Sequence, residues 1–283
     1  MPKRRPAVAG AFYAGTKNSL FQQIKECFTS PLGPGSLPTA KWSDRKVPAL
    51  ICPHAGYMYS GPVAAHAYWA LTSYSRPDSV IIFGPNHYGV GTAVSIYPEG
   101  SWLTPLGEVS IDKNLVNQLA GHSDVFFFDE VSHSREHSIE VQLPFLQYIY
   151  ESFSFVPICI NDQSLETCIR IGRDVAEVVD DRNILMIAST DFTHYEPHEE
   201  VLEKDKKALE KIVKLNVEEL YSAMKRYDIT MCGYGAVAAL LTAAKMLGAR
   251  EAKVLKQTTS GDTSGDYDSV VGYASCLIEL EKR

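Results

Sequence analysis

The chain has no Cys-x-x-Cys pair although it carries 6 cysteines, so zinc-ribbon and thioredoxin-type motifs are excluded. It also has no H-E-x-x-H, no G-x-S-x-G and no Walker loop, which removes the helix-borne zinc protease site, the hydrolase elbow and the P-loop. No apolar run reaches the ~18 residues of a membrane span, so no membrane partner is expected. Positive charge is short as well. There are 27 Lys and Arg against 34 Asp and Glu, a net charge of −7, which argues against a nucleic-acid partner. A small basic start, Met1-Pro2-Lys3-Arg4-Arg5, reads as a solvated terminus. The stretch Ala7–Gly15 behind it is too short, and too poor in leucine, for a signal peptide.

What is present is ordinary in bulk. Hydrophobic residues make up 45% and charged residues 22%, the balance of a soluble globular protein. Cys27, Cys52, Cys159, Cys168, Cys232 and Cys276 lie mostly in apolar runs, where a free thiol packs as a small hydrophobe. That pattern suits a reducing, cytoplasmic setting. A chain of 283 residues buries roughly 75% of the surface its unfolded form exposes. Pro31–Trp42, rich in Pro, Gly and Ser, reads as a loop too early to divide two domains, so residues 1–283 are expected to form a single domain.

Strand-like and helix-like segments alternate. Val47–Cys52, Ser79–Phe83, Ala93–Tyr97, Glu108–Ile111, Asp124–Phe128, Phe153–Ile160, Ile184–Ala188, Ala252–Thr258 and Val270–Ile278 read as strands, with Trp102–Gly107 as a turn. Gly61–Ser73, Lys113–Ala120, Glu136–Glu151 (kinked at Pro144), Leu165–Val179, Glu199–Val213, Val217–Tyr227 and Gly235–Leu247 read as helices. Asn216 with Glu219 has the spacing of a helix cap. Thr258–Asp268, with its doubled TSGD, reads as a polar loop. The alternation predicts an α/β fold, a central largely parallel or mixed sheet flanked by helices.

Three of the apolar runs end in residues that bind metals or move protons. Val47–Cys52 leads into Pro53-His54-Ala55-Gly56-Tyr57, Ser79–Phe83 into Gly84-Pro85-Asn86-His87, and Ile184–Ala188 into Asp191 and His194. Ligands in α/β sheets bind outside the carboxyl ends of strands. Either histidine alone reads more readily as a hydrogen-bonded structural residue; two in matching contexts point to a shared site. Imidazole is a metal ligand or proton carrier near neutral pH, and Asp191 orients it, binds the metal or caps a turn. Cys232 precedes the buried helix Gly235–Leu247, where a helix N-terminus lowers a thiol pKa; it reads as a ligand or as packing. Glu136, His137 and Glu140 open another helix and read as second-layer groups or substrate contacts. His66, His122, His133 and His198 read as surface or packing residues. Gly233-Tyr234-Gly235-Ala236-Val237-Ala238 fits a dinucleotide fingerprint, with Glu251 downstream, but the strand before it would be very short.

In this order, PHAGYMYSG, GPNHYG, EHSIEVQLPF, STDFTHY and MCGYGAV resemble the Memo family, whose archaeal and bacterial members are called AmmeMemoRadiSam system protein B. The opening RPAVAGAFYAG and the closing DYDSVVGYAS extend the resemblance over nearly the whole chain. It implies a fold like that of the class III extradiol dioxygenases, which are non-haem iron enzymes with two histidines and a glutamate on the metal. Carried over by motif, His54 and His87 match the histidine ligands and His194 the acid/base, while Cys232 stands where the carboxylate would be. A two-histidine, one-cysteine face suits zinc or copper as well as iron. AMMECR-type and radical-SAM proteins are the partners the resemblance suggests. Eukaryotic relatives imply a binding role toward phosphotyrosine peptides.

Three readings follow. The first is a metal-dependent oxidoreductase holding iron, or else copper or zinc, on His54, His87 and Cys232. In it His194 transfers protons, Asp191 orients His194, and Tyr57, Tyr59, Glu136 and His137 contact the substrate. The second is a non-enzymatic scaffold using the same cleft for a peptide. The third is a zinc hydrolase.

Overall fold

The computed structural model describes residues 2–39 and 41–281. Met1 of the basic start, Ala40 of the Pro31–Trp42 loop, and Lys282 and Arg283 lie outside the described residues. The fold is α/β, with twelve strands in one mixed sheet and nine α-helices among the described residues. The strands are β1 (Lys3–Arg4), β2 (Ala49–Cys52), β3 (Ser79–Pro85), β4 (Val94–Ile96), β5 (Ser101–Thr104) and β6 (Gly107–Ile111). They continue with β7 (Phe127–Phe128), β8 (Ser154–Ile160), β9 (Ile184–Ser189), β10 (His194–Glu196), β11 (Ala252–Thr259) and β12 (Val270–Ile278).

The sheet runs β1-β5-β6-β8-β3-β9-β2-β12-β10, with β11 on β12, β4 on β8 and β7 on β4. Its centre, β8-β3-β9-β2, is parallel. These strands read as unbroken apolar runs because helices cover a parallel sheet and both pleat faces are buried. Antiparallel pairs, β12 on β2 and β5 on β6, sit outside them. Helix Tyr234–Met246, apolar almost all round, packs on β3 and β9, and helix Tyr57–Leu71 packs on β2 and β12.

Several local readings need correction. Only Phe127–Phe128 of Asp124–Phe128 is strand, and both side chains are exposed. Ser101–Thr104 belongs to a hairpin with β6, so the turn is shorter than Trp102–Gly107. The helix expected from Glu136 begins only after the 3-10 turn Glu140–Gln142, at Leu143–Tyr150. The reason is that the Glu136 carboxylate takes the backbone N–H groups of His137 and Ser138, which holds that turn out of a helix. Pro144 therefore stands in a helix's first turn, where it costs nothing, and not at a kink.

The largest correction is at the basic start. Arg4 is not solvated; it is 6% exposed. Its guanidinium pairs with Glu140 at 2.6 Å, donates to the His133 and Glu136 carbonyls and lies 4.0 Å over the Trp102 ring. Glu140 also accepts from Ala7 N, Val8 N and the Tyr13 hydroxyl. The N-terminal segment is thereby bound to the turn that carries Glu136 and His137.

Candidate metal centre

Three adjacent strands deliver His54, His87 and Asp191 to the site. In register, Cys52 of β2 faces Ser189 of β9, and Phe83 of β3 faces Ala188 of β9. His54, His87 and Asp191 follow two residues after β2, β3 and β9 respectively, so all three leave the sheet at the same end. Cys232 arrives from a turn. A Cβ on Gly233 would lie 2.3 Å from the Ser189 carbonyl oxygen, so only glycine lets this turn approach β9 so closely. Gln163 clamps the turn from both sides, donating to the Cys232 carbonyl at 2.9 Å and accepting from Gly235 N at 2.8 Å.

The spatial expectation is met for all three. His54, His87 and Cys232 each place a ligand atom within 4.8 Å of the other two. Bonds of ~2.0–2.3 Å put two ligand atoms at most ~4.6 Å apart across an ion, so this spread is of the right order. Cys232 Sγ lies 3.2 Å from His54 Nε2, and the His54 and His87 rings stand edge-to-face with centroids 5.1 Å apart.

Hydrogen-bond partners tell which nitrogen is free. His87 Nδ1 lies 2.9 Å from Glu136 Oε1. Burial pushes the Glu136 carboxyl up, but the His87 hydrogen bond, the neighbouring His87 and His137 and the Ser138 N–H hold it well below the usual carboxylate range. An ionised carboxylate only accepts, so His87 carries its proton on Nδ1 and its lone pair on Nε2. Glu136 accepts three donors on Oε1 (His87 Nδ1, His137 N, Ser138 N) and His87 N on Oε2, and so orients His87; with His87 and His137 it also forms a second group that could hold an ion. His194 Nδ1 lies 2.9 Å from the Thr230 carbonyl, an acceptor only, so its Nε2 is also free.

Asp191 does not orient His194, as the sequence suggested. Its Oδ1 accepts from His54 N at 2.8 Å, and Oδ2 lies 3.9 Å from His54 Nε2. Burial pushes the Asp191 carboxyl up. Burial, then the neighbouring His87 and His137, push His54 well down, so its ring is neutral near pH 7. The Cys232 residue is partly exposed, but its thiol is buried, and burial with the Asp191 carboxylate raises its pKa. Here desolvation outweighs the helix N-terminus, reversing the expected lowering.

Tyr59 and His137 line the cleft, together with His194. His137 stacks on His87 at 4.6 Å and is pushed down to about 4 by burial. Tyr57 does not reach the cleft: it is 3% exposed and donates to the Val141 carbonyl at 2.6 Å. Residues two apart on a helix point away from each other, which separates Tyr57 from Tyr59. Sequence reasoning missed Phe12, Tyr195 and Tyr273 as cleft walls, and Ser260, Ser264 and Asp266 of the doubled TSGD as its rim. The cleft measures about 550 Å³, and no Lys or Arg is among the described residues lining it. The dinucleotide fingerprint lacks its strand, since Ile229–Met231 is irregular.

Asp205 anchors the loop that carries His194. Its Oδ1 accepts from Thr193 N at 3.0 Å, while Oδ2 is buried with no hydrogen-bond partner among the described residues. A Cβ on Gly272 would fall 1.8 Å from that oxygen. Burial pushes the carboxyl up to about 6, against ~3.9 in an unfolded chain. The folded state therefore binds more protons between these values, and stability falls as pH rises from ~4 through ~6. Asp205→Asn should match wild type near pH 4 and exceed it by about 2–3 kcal/mol at pH 8. Urea unfolding of both proteins across that range tests this; parallel stability curves would contradict it.

A family profile described as "Memo-like protein" matches residues 4–277. A MEMO1 family protein from Methanopyrus kandleri is 48% identical over 279 residues, covering 98% of this chain and 99% of the relative. One from Sulfurisphaera tokodaii is 49% identical, covering 96% and 98%. Among solved structures, an uncharacterized protein of Escherichia coli K12 superposes with a TM-score of 0.53 at 15% identity, over 82% of this chain and 99% of its own, a likeness of fold alone.

Proposed function

This chain belongs to the Memo-like protein family, and on that premise we propose that it is a metal-dependent oxidoreductase acting on a small molecule. His54, His87 and Cys232 hold one divalent ion, iron first, with copper or zinc as the alternatives that a two-histidine, one-cysteine face also suits. The observation that carries this reading is the convergence of two imidazoles and one sulfur within 4.8 Å from three distant segments. When bound, the ion supplies Lewis acidity and, as iron or copper, electron transfer. His194 moves a proton at Nε2, with its Nδ1–H held by Thr230. Tyr59 and His137 bound the substrate, and Glu136 holds His87 in the ligand orientation.

The phosphotyrosine-peptide reading fits less well. Phosphate is recognised by arginine clusters, and among the described residues the cleft wall offers no Lys or Arg. A neutral or cationic small molecule suits it better. The test is metal occupancy after air-free reconstitution with one equivalent of Fe(II) or Zn(II). His54→Ala and His87→Ala should fall below about a tenth of wild-type occupancy, whereas His194→Ala should keep the ion. Wild-type occupancy in all three variants would refute the metal reading. Loss in His194→Ala equal to that in His87→Ala would remove the proton-transfer role.

A further inference from the structure

His87 and His194 have their protons fixed by partners that can only accept, but His54 Nδ1 meets a hydroxyl, Ser189 Oγ at 3.0 Å, which can give or take. We infer that Ser189, locked by the Ser138 carbonyl and the Gln142 amide, is a positioning residue that fixes His54 as its Nδ1–H tautomer and so holds the Nε2 lone pair toward Cys232. This deepens the metal-site reading and rests on it for its purpose, though not for its geometry.

Ser189 Oγ has one hydrogen and two lone pairs. The Ser138 carbonyl, 2.6 Å away, only accepts, so it takes the hydrogen. Gln142 Nε2, 2.8 Å away, only donates, so it takes one lone pair. The amide cannot be turned round, because Nε2 also donates to the Pro53 carbonyl at 3.0 Å and Oε1 receives the Tyr68 hydroxyl at 2.5 Å. One lone pair of Ser189 remains, and His54 Nδ1 must donate to it. His54, Ser138, Gln142 and Ser189 are all buried, where an unpaired polar group is costly. The opposite tautomer would set the Ser138 carbonyl against a lone pair and point an N–H at Cys232 Sγ and the space an ion would fill. Gln142 lies in EHSIEVQLPF and Ser189 opens STDFTHY, but neither stretch tells which atom it presents to His54.

The test is nitrogen-15 NMR of the imidazoles in metal-free protein at pH 7.5, with zinc affinity measured in parallel. Wild-type His54 is expected to carry its proton on Nδ1. Ser189→Ala should populate the Nε2–H form and weaken zinc binding by ~10–100-fold, the usual cost of losing a ligand's orienting partner. Ser189→Thr, which keeps the hydroxyl, should restore the tautomer and most of the affinity. A wild-type spectrum with the proton on Nε2 overturns the inference, as does an unchanged tautomer in Ser189→Ala. The wild-type spectrum decides the tautomer even if Ser189→Ala does not fold. An Nδ1–H tautomer in a protein that binds no metal would uphold the inference while refuting the metal function.

Discussion

Replacing Cys232 with alanine should weaken zinc binding by about two orders of magnitude. Structural zinc sites with four ligands bind with ~10–16 kcal/mol, roughly 3 kcal/mol per ligand, and each ~1.4 kcal/mol is tenfold. Competition with a chelating dye under air-free conditions measures this directly. Cys232→Asp should behave differently. It restores a two-histidine, one-carboxylate face, so Fe(II) should still bind while the preference for copper and zinc declines. Unchanged zinc affinity in Cys232→Ala would mean that the thiol only packs against His54. The variant also removes the sulfur that accepts the Asp191 N–H, and circular dichroism separates that local loss from unfolding.

The second large effect is expected far from the ligands. Arg4→Met or Glu140→Gln should destabilise the protein by about 3–5 kcal/mol, because either leaves a buried charge without its partner. For a chain of this size that is a fall in Tm of roughly 6–20 °C. Glu140 receives Arg4, two backbone N–H groups and the Tyr13 hydroxyl, so it fastens residues 4–13 to the turn bearing His137. Phe12, within that segment, contacts His137 with ring centroids 4.7 Å apart. Metal affinity is expected to change less than stability, since this segment reaches the ligands only indirectly, through the Glu136 carbonyl on Arg4 and through Tyr57 N on the Phe12 carbonyl. A loss below about 1 kcal/mol, of the order of an exposed ion pair, would contradict the buried-pair argument.

The histidines were legible because a buried parallel strand is an unbroken apolar run, and a polar residue just past its end must lie at the sheet's edge. Register then did what the sequence could not: it put β3, β9 and β2 side by side, in an order unlike their order along the chain. Helix Lys17–Thr29 was legible but overlooked. Thr16 caps it, and Leu20, Ile24, Cys27 and Phe28 form its buried stripe at helical spacing. Arg4 was not legible. A basic residue near a terminus is ordinarily solvated, and only the fold reveals Glu140 as its partner 136 residues away. Glu136 was legible as a second-layer group but its His87 partner was not, and Ser189, Gln142 and Thr230 were invisible for the same reason. Their work lies in which atom they present to an imidazole, and neither periodicity nor composition records that. Cys232 was found, but its pKa direction was not, because the helix N-terminus is a local feature and the burial that outweighs it is not.

X-ray absorption at the metal edge of protein purified without air tests the central claim most directly. The expected spectrum has one sulfur neighbour at ~2.3 Å and two imidazole nitrogens near ~2.0–2.1 Å, with the sulfur absent in Cys232→Ala. An ion surrounded only by oxygen and nitrogen in the wild-type protein would contradict the assignment of His54, His87 and Cys232 as one metal centre.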